Sequence, residues 1–291
     1  LNGAGFFGTM CVARRFLKRR HLTWTHHRKN PRGAIMSITL EIEDGIATVT
    51  INRPERKNAF TIAMRYEFCE YLERIALDAD VRAVIITGAG DCFCSGMDVT
   101  EMGTNDVVGV RYRMQLLHRM ARAVARLDKP VIAAVRGVAV GSGWSLAMGC
   151  DIVLAGESAR FAQVFKNIAL APDAGSVYYL SRLLGPARAK DLVFSGRWVK
   201  AEEALQLGLV SRVVPDEQLP DAARELAREY ASGASLALGL AKRMFEVAAT
   251  TSLEQFLDYE MQTQTALSQS YDHREGTDSF KQKRKPEFKG R

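Results

Sequence analysis

Residues 138–151 read VAVGSGWSLAMGCD. Gly141, Ser142 and Gly143 interrupt an apolar run, and a helix-like stretch follows before Asp151. Small residues at that point let a backbone approach something closely. The next residues, Trp144 and Ser145, bring neither acid nor base. Upstream, Lys129-Pro130 starts the short apolar run Val131 to Val135, and downstream Ile152 to Ala155 is another. Strand, small-residue loop, helix and strand therefore follow one another. An earlier unit has the same form: Val81 to Thr87, the loop Gly88-Ala89-Gly90-Asp91, and a long amphipathic helix from Val107 to Leu127. Two such units predict an α/β fold with mostly parallel, buried strands.

Working outward, Ser37 to Glu43 and Ile46 to Asn52 both alternate, with Gly45 between them, which predicts a hairpin. Thr61 is placed to cap a helix through Leu77. From about Pro186 onward the chain reads as helices only: 190–195, one beginning at Lys200 and closed by Gly208, 218–231, 236–249, 253–270 and 272–285. The division expected is a leader over 1–35, a core over 36–230 and a helical C-terminal region over 231–291.

The net charge of +7 is concentrated at one end. Arg14, Arg15, Lys18, Arg19, Arg20, Arg28, Lys29 and Arg32 lie in residues 1–35, which contain no acid. The remaining 32 basic residues meet 33 acidic ones, so the body is near neutral and charge does not imply nucleic-acid binding. The leader fits a transit peptide, an upstream extension before Met36, or a basic arm. The address is accordingly cytoplasmic, or the mitochondrial matrix if the leader is a transit peptide. No apolar stretch is long enough to span a membrane. Five cysteines, at 11, 69, 92, 94 and 150, make no paired CxxC motif and read as free thiols, with no metal site.

Five blocks occur in a familiar order: INRPERKNAF (51–60), DCFCSGMDVTEM (91–102), KPVIAAVRGVAVGSGWSLAMGCD (129–151), FAQVFKNIALAPDAGSVYYLSRLLG (161–185) and AEEALQLGLVSRVV (201–214). With the ending HREGTDSFKQKRKPEFKG (273–290), they make the chain from Met36 onward resemble the crotonase (enoyl-CoA hydratase/isomerase) superfamily. The resemblance implies a spiral of ββα units with a C-terminal helical region used for trimerisation, often with two trimers stacked. It implies an acyl-CoA thioester substrate, coenzyme A as part of that substrate, and no separate cofactor or metal. It implies an oxyanion hole made by the backbone N–H groups of Met97 and Ser142, for which small residues nearby are a physical requirement. Lys57, Ala59, Cys94, Gly96 and Asp98 fall where the family lines its coenzyme A tunnel, with Asp98 also suited to orienting its loop.

Hydratases of this family use two glutamates, and this chain has Ser145 and Phe165 at those positions. Neither can exchange a proton unaided. Asp173, eight residues beyond Phe165, is the carboxylate that isomerase-like members carry there. A double-bond shift needs one shuttling base, and an apolar wall of Trp144, Val164 and Phe165 would raise that base's pKa. Gly141, Ser145 and Phe165 are thus expected around the acyl group. The alternative role for Asp173 is to cap the helix after Pro172-Asp173. His118 is expected near the core, and Trp144, Tyr178 and Tyr179 either line the acyl pocket or serve as core or subunit-contact aromatics, the second role favoured for the tyrosines. Beside isomerisation stand atypical hydration and a silent acyl-CoA-binding subunit.

Overall fold

The computed structural model describes residues 37–102 and 106–291, so the expectations for the leader over 1–35 lie outside the described residues. A hairpin of β1 (Ile38–Glu43) and β2 (Ile46–Ile51) opens the fold. Next come α1 (Ile62–Leu77), β3 (Ala83–Gly88), α2 (Val107–Ala125), β4 (Val131–Val135) and β5 (Val138–Val140). Then follow α3 (Ser142–Met148), β6 (Ile152–Gly156), β7 (Arg160–Ala162), α4 (Ser176–Leu184) and α5 (Pro186–Ser195). The C-terminal part holds β8 (Val199–Lys200), α6 (Ala201–Gln206), β9 (Arg212–Val214), α7 (Leu219–Ser232), α8 (Ser235–Ala248), α9 (Leu253–Ser268) and α10 (Tyr271–Lys281).

The main sheet has the order β1-β2-β3-β4-β6-β9 and is parallel except for the hairpin. Its central strands β3, β4 and β6 read as apolar runs because both faces are covered. Val84, Ile86, Val131 and Ala133 pack with Met64, Phe68, Leu117 and Met120 of α1 and α2. Ile85, Ile132, Ala134 and Leu154 pack under Leu219, Ala223 and Ala227 of α7. Thr61 caps α1 as expected, its hydroxyl accepting from Met64 N at 3.2 Å. A smaller sheet, β5-β7-β8, stands beside the first.

The expectation of helices alone after Pro186 needs correction, because β8 and β9 are strands of two and three residues that complete the two sheets. The last helix also ends at Lys281, so most of the basic tail lies beyond it. Among the described residues no helix is long and apolar enough to cross a membrane.

Candidate active site

The segment 92–98 is stitched on both edges. Phe93 N and Cys94 N donate to Arg136 O and Val138 O at 2.8 and 3.1 Å, and Val140 N donates to Cys94 O at 3.0 Å. On the other side Phe60 N donates to Gly96 O, and Asp98 N donates to Phe60 O, each at 2.9 Å. In an extended segment successive N–H groups point opposite ways. Gly96 and Asp98 face Phe60, so Met97 N faces away from it and has no acceptor among the described residues. Ser142 N heads α3, where first-turn donors have no intrahelical partner, and it too is unbonded among the described residues.

Two glycines bring these N–H groups together. Gly96 has φ +102°, and a β-carbon there would lie 3.1 Å from Val140 O and 3.8 Å from Ser142 N. A β-carbon on Gly143 would fall 2.9 Å from Cys94 Sγ and closer still to Cys94 O. Any larger residue would push the two loops apart.

Asp173 completes the arrangement. Ala174 and Gly175 both have positive φ, +49° and +84°, and α4 begins at Ser176 without a side-chain cap. The Asp173 carboxylate is therefore not the cap of α4. It accepts instead from Ser142 Oγ at 2.6 Å. Its backbone carbonyl accepts from Ser176 N at 3.0 Å and lies 3.2 Å from Ser145 Oγ. Burial raises the Asp173 pKa above the usual carboxylate range, while the Ser142 hydrogen bond, His118 and Arg65 pull it back. His118 itself is exposed on α2, rather than near the core.

Ser145 is sealed, with its hydroxyl 3.0 Å from Gly141 O. Phe165 is buried, and its ring Cζ would sit 3.5 Å from a β-carbon on Gly141. Trp144 turns away to pack on Phe161, with ring centroids 5.5 Å apart. Met97, Ser142, Ser145 and Ala174 enclose a cavity of about 10 Å³ with Leu117 and Met120 of α2 and Tyr179 of α4. Tyr179 thus borders the site while also packing against the main core, so it combines two of the roles the sequence left open.

The other expected residues lie around this centre. Lys57 is exposed in a left-handed conformation, and Ala59 is half-buried beside it. Cys94 is fully buried behind Gly143, its thiol pushed up to about 12 by burial. Asp98 is turned toward Arg53, whose Nη1 donates to Asp98 Oδ2 at 2.5 Å and to Ala59 O at 3.2 Å. Sequence reasoning missed Arg53 and Asn58. Asn58 is fully buried at φ +56°. Its amide donates to Ala89 O and Cys92 O at 2.9 and 2.5 Å and its Oδ1 accepts from Arg53 N at 2.9 Å. The available signal was an asparagine, a residue type that tolerates positive φ, just before a helix. Asn58→Ala leaves two buried carbonyls unpaired and is expected to cost about 2 kcal/mol in chemical denaturation. A loss under about 0.5 kcal/mol, within the range of ordinary surface changes, would contradict this role.

The chain also matches known proteins over most of its length. The enoyl-CoA hydratase/isomerase family profile matches residues 41–291. The chain is 39% identical over 259 residues to the 1,2-epoxyphenylacetyl-CoA isomerase of Escherichia coli K12, covering 87% of this chain and 98% of that protein. It is 37% identical to the short-chain-enoyl-CoA hydratase of Clostridium acetobutylicum, covering 88% and 98%. The crystal structure of an enoyl-CoA hydratase from Bacillus anthracis superposes with a TM-score of 0.84 at 34% identity, covering 88% of this chain and all of that one. The family profile over residues 41–291, relatives alike over almost their whole length and a shared mixed α/β fold place the chain in the enoyl-CoA hydratase/isomerase (crotonase) family.

Proposed function

We propose that this protein shifts the double bond of an enoyl-CoA thioester, with Asp173 as the single shuttling base. The thioester oxygen sits between Met97 N and Ser142 N. Asp173 takes a proton from the α-carbon of a 3-enoyl thioester, and the electron pair delocalises through the alkene onto the thioester oxygen. The two N–H groups stabilise that charge as it develops. Asp173 then returns the proton to the γ-carbon, giving the 2-enoyl thioester, and no net atom is gained or lost. Coenzyme A enters as part of the substrate, and no separate cofactor takes part.

The observation that carries this reading is the 2.6 Å hydrogen bond between Ser142 Oγ and Asp173 Oδ1. It ties the carboxylate to the residue whose N–H serves the oxyanion. Hydration needs a second proton-exchanging group. Ser145 has its hydroxyl against two carbonyls, and Phe165 has no titratable group. The relatives' names include both an isomerase and hydratases, so the choice rests on the site residues. The described C-terminal helices expose Leu253, Met261 and Phe280, which supports assembly into a homotrimer or a pair of trimers.

Proton NMR of short 2- and 3-enoyl-CoA esters in D₂O tests the proposal. A migrating double bond with deuterium at the α- and γ-carbons is expected. Conversion of a 2-enoyl ester to its 3-hydroxyacyl product at an enzymatic rate, with no migration, would replace isomerisation by hydration. Tight binding without exchange would favour a silent binding subunit.

A further inference from the structure

We propose that the acyl chain leaves the carbonyl site past the Tyr179 ring into the open cleft between α4 and α8, so that Tyr179 sets the chain length accepted. This rests on the acyl-CoA reading above, and its occupant is an unbranched hydrocarbon chain.

The cavity beside Met97 and Ser142 measures about 10 Å³, room for about one water molecule. A chain longer than a stub therefore has to displace a wall. Leu117 and Met120 belong to the main core and are almost fully buried, so moving them disrupts close packing. Behind Tyr179 lies space instead. Gly149 and Tyr179 border both the small cavity and a cleft of about 680 Å³, a size that suits ligand pockets.

Tyr179 is the wall that divides the two spaces. A β-carbon on Gly175 would lie 3.1 Å from its Cε2, and one on Gly149 would lie 3.3 Å from its Oη, so the ring runs between two residues without side chains. Among the described residues no hydrogen bond anchors its hydroxyl, and its aromatic contact is an edge to Tyr178 at 5.4 Å. Burial moves its phenol up to about 12, which keeps the ring neutral beside a hydrocarbon. Across the cleft α8 presents Leu238, Ala241 and Phe245. The charges on the cleft are engaged elsewhere: Lys242 is held by Asp151 at 2.9 Å and by Val124 O at 3.1 Å, Glu246 pairs with Arg243 at 3.3 Å, and the Arg182 guanidinium stacks 3.5 Å over the Tyr178 ring.

The test is calorimetric binding of butanoyl-, octanoyl- and dodecanoyl-CoA to the full chain. These saturated esters cannot isomerise, so the outcome does not depend on Asp173. Affinity is expected to rise by about fourfold for each methylene that enters the cleft. Ala241→Trp fills the cleft and is expected to lose at least tenfold for dodecanoyl-CoA while leaving butanoyl-CoA unchanged. Leu238→Trp serves as a second block from the same helix. Tyr179→Ala is expected to tighten dodecanoyl-CoA relative to butanoyl-CoA. Equal affinity for short and long chains overturns the proposal, as does a length profile that neither tryptophan alters. Sedimentation of the same variants separates the competing occupant: tryptophans that change subunit assembly without a chain-length effect would show a second copy in the cleft. Failure of all three esters to bind would sink the acyl-CoA reading along with the gate.

Discussion

Asp173→Asn is expected to slow deuterium exchange and double-bond migration by about a thousandfold, the effect of removing a positioned general base. The substitution keeps the size of the side chain and its hydrogen bond to Ser142, so the loss belongs to the proton transfer rather than to folding. Its effect on stability runs the other way. Burial raises the pKa of Asp173 in the folded protein. The stability tied to the protonated carboxyl is fully present below the unfolded-state value and is lost as pH rises through the folded value. At neutral pH the wild-type protein therefore carries the cost of a partly buried charge, and the asparagine variant does not. The variant is expected to melt at a higher temperature at pH 7, with the difference closing toward pH 4. Scanning calorimetry at the two pH values reads this directly. Retained exchange in the variant would remove Asp173 as the base, whatever the melting temperatures show.

Ser142→Ala extends the same argument. It preserves the N–H of residue 142 and deletes the hydroxyl that lowers the Asp173 pKa. The rise of kcat with pH, which reports ionisation of the base in the bound complex, is expected to move to higher pH. An unmoved profile would mean that the hydroxyl does not tune the carboxylate.

The long elements were legible because their periods are long. The face of α1 repeats over 16 residues and carries its own cap, and β3 and β4 are short apolar runs bounded by turn residues. By contrast β5, β7, β8 and β9 span two or three residues each, too few for any alternation to register. They are fixed by long-range pairing, as when β7 aligns Phe161 with Ala139 on one side and Val199 on the other. The site divides in the same way. Glycines near Met97 and Ser142 announce a close approach in the sequence itself. The Ser142–Asp173 bond joins residues 31 apart, and it depends on left-handed backbone at Ala174, which a residue type does not announce. The Tyr179 ring likewise touches the site only because α4 packs beside α3.

Arg53→Met is expected to weaken catalysis by ten- to a hundredfold and stability by about 3 kcal/mol, the cost of leaving a buried charge without its partner. Arg53 never reaches the reacting atoms. It grips Asp98 at 2.5 Å and Ala59 O at 3.2 Å, and Asp98 also accepts from Thr100 N at 2.9 Å. Met97 is held between Gly96 and Asp98, which both pair with Phe60. A slack Asp98 thus lets the Met97 N–H swing off the thioester oxygen, and loss of alignment in one oxyanion donor lowers kcat more than it raises KM. The infrared carbonyl band of a bound acyl-CoA separates this from a merely weakened fold, since poorer polarisation shifts it toward its free frequency. The pH dependence supplies the second reading. Arg53, with help from Thr100, holds Asp98 down to about 2, from an ordinary 3.8. The stability that follows is present above the ordinary value and is lost as pH falls toward 2. Without Arg53 the Asp98 pKa rises, so acid unfolding is expected to begin at higher pH in the variant. Both bonds leave from Nη1, so Arg53→Lys, which keeps the charge and several N–H donors on one nitrogen, is expected to restore the acid limb and the carbonyl shift together. If Arg53→Met leaves both the infrared band and the acid limb unchanged, the clamp is not what aims Met97.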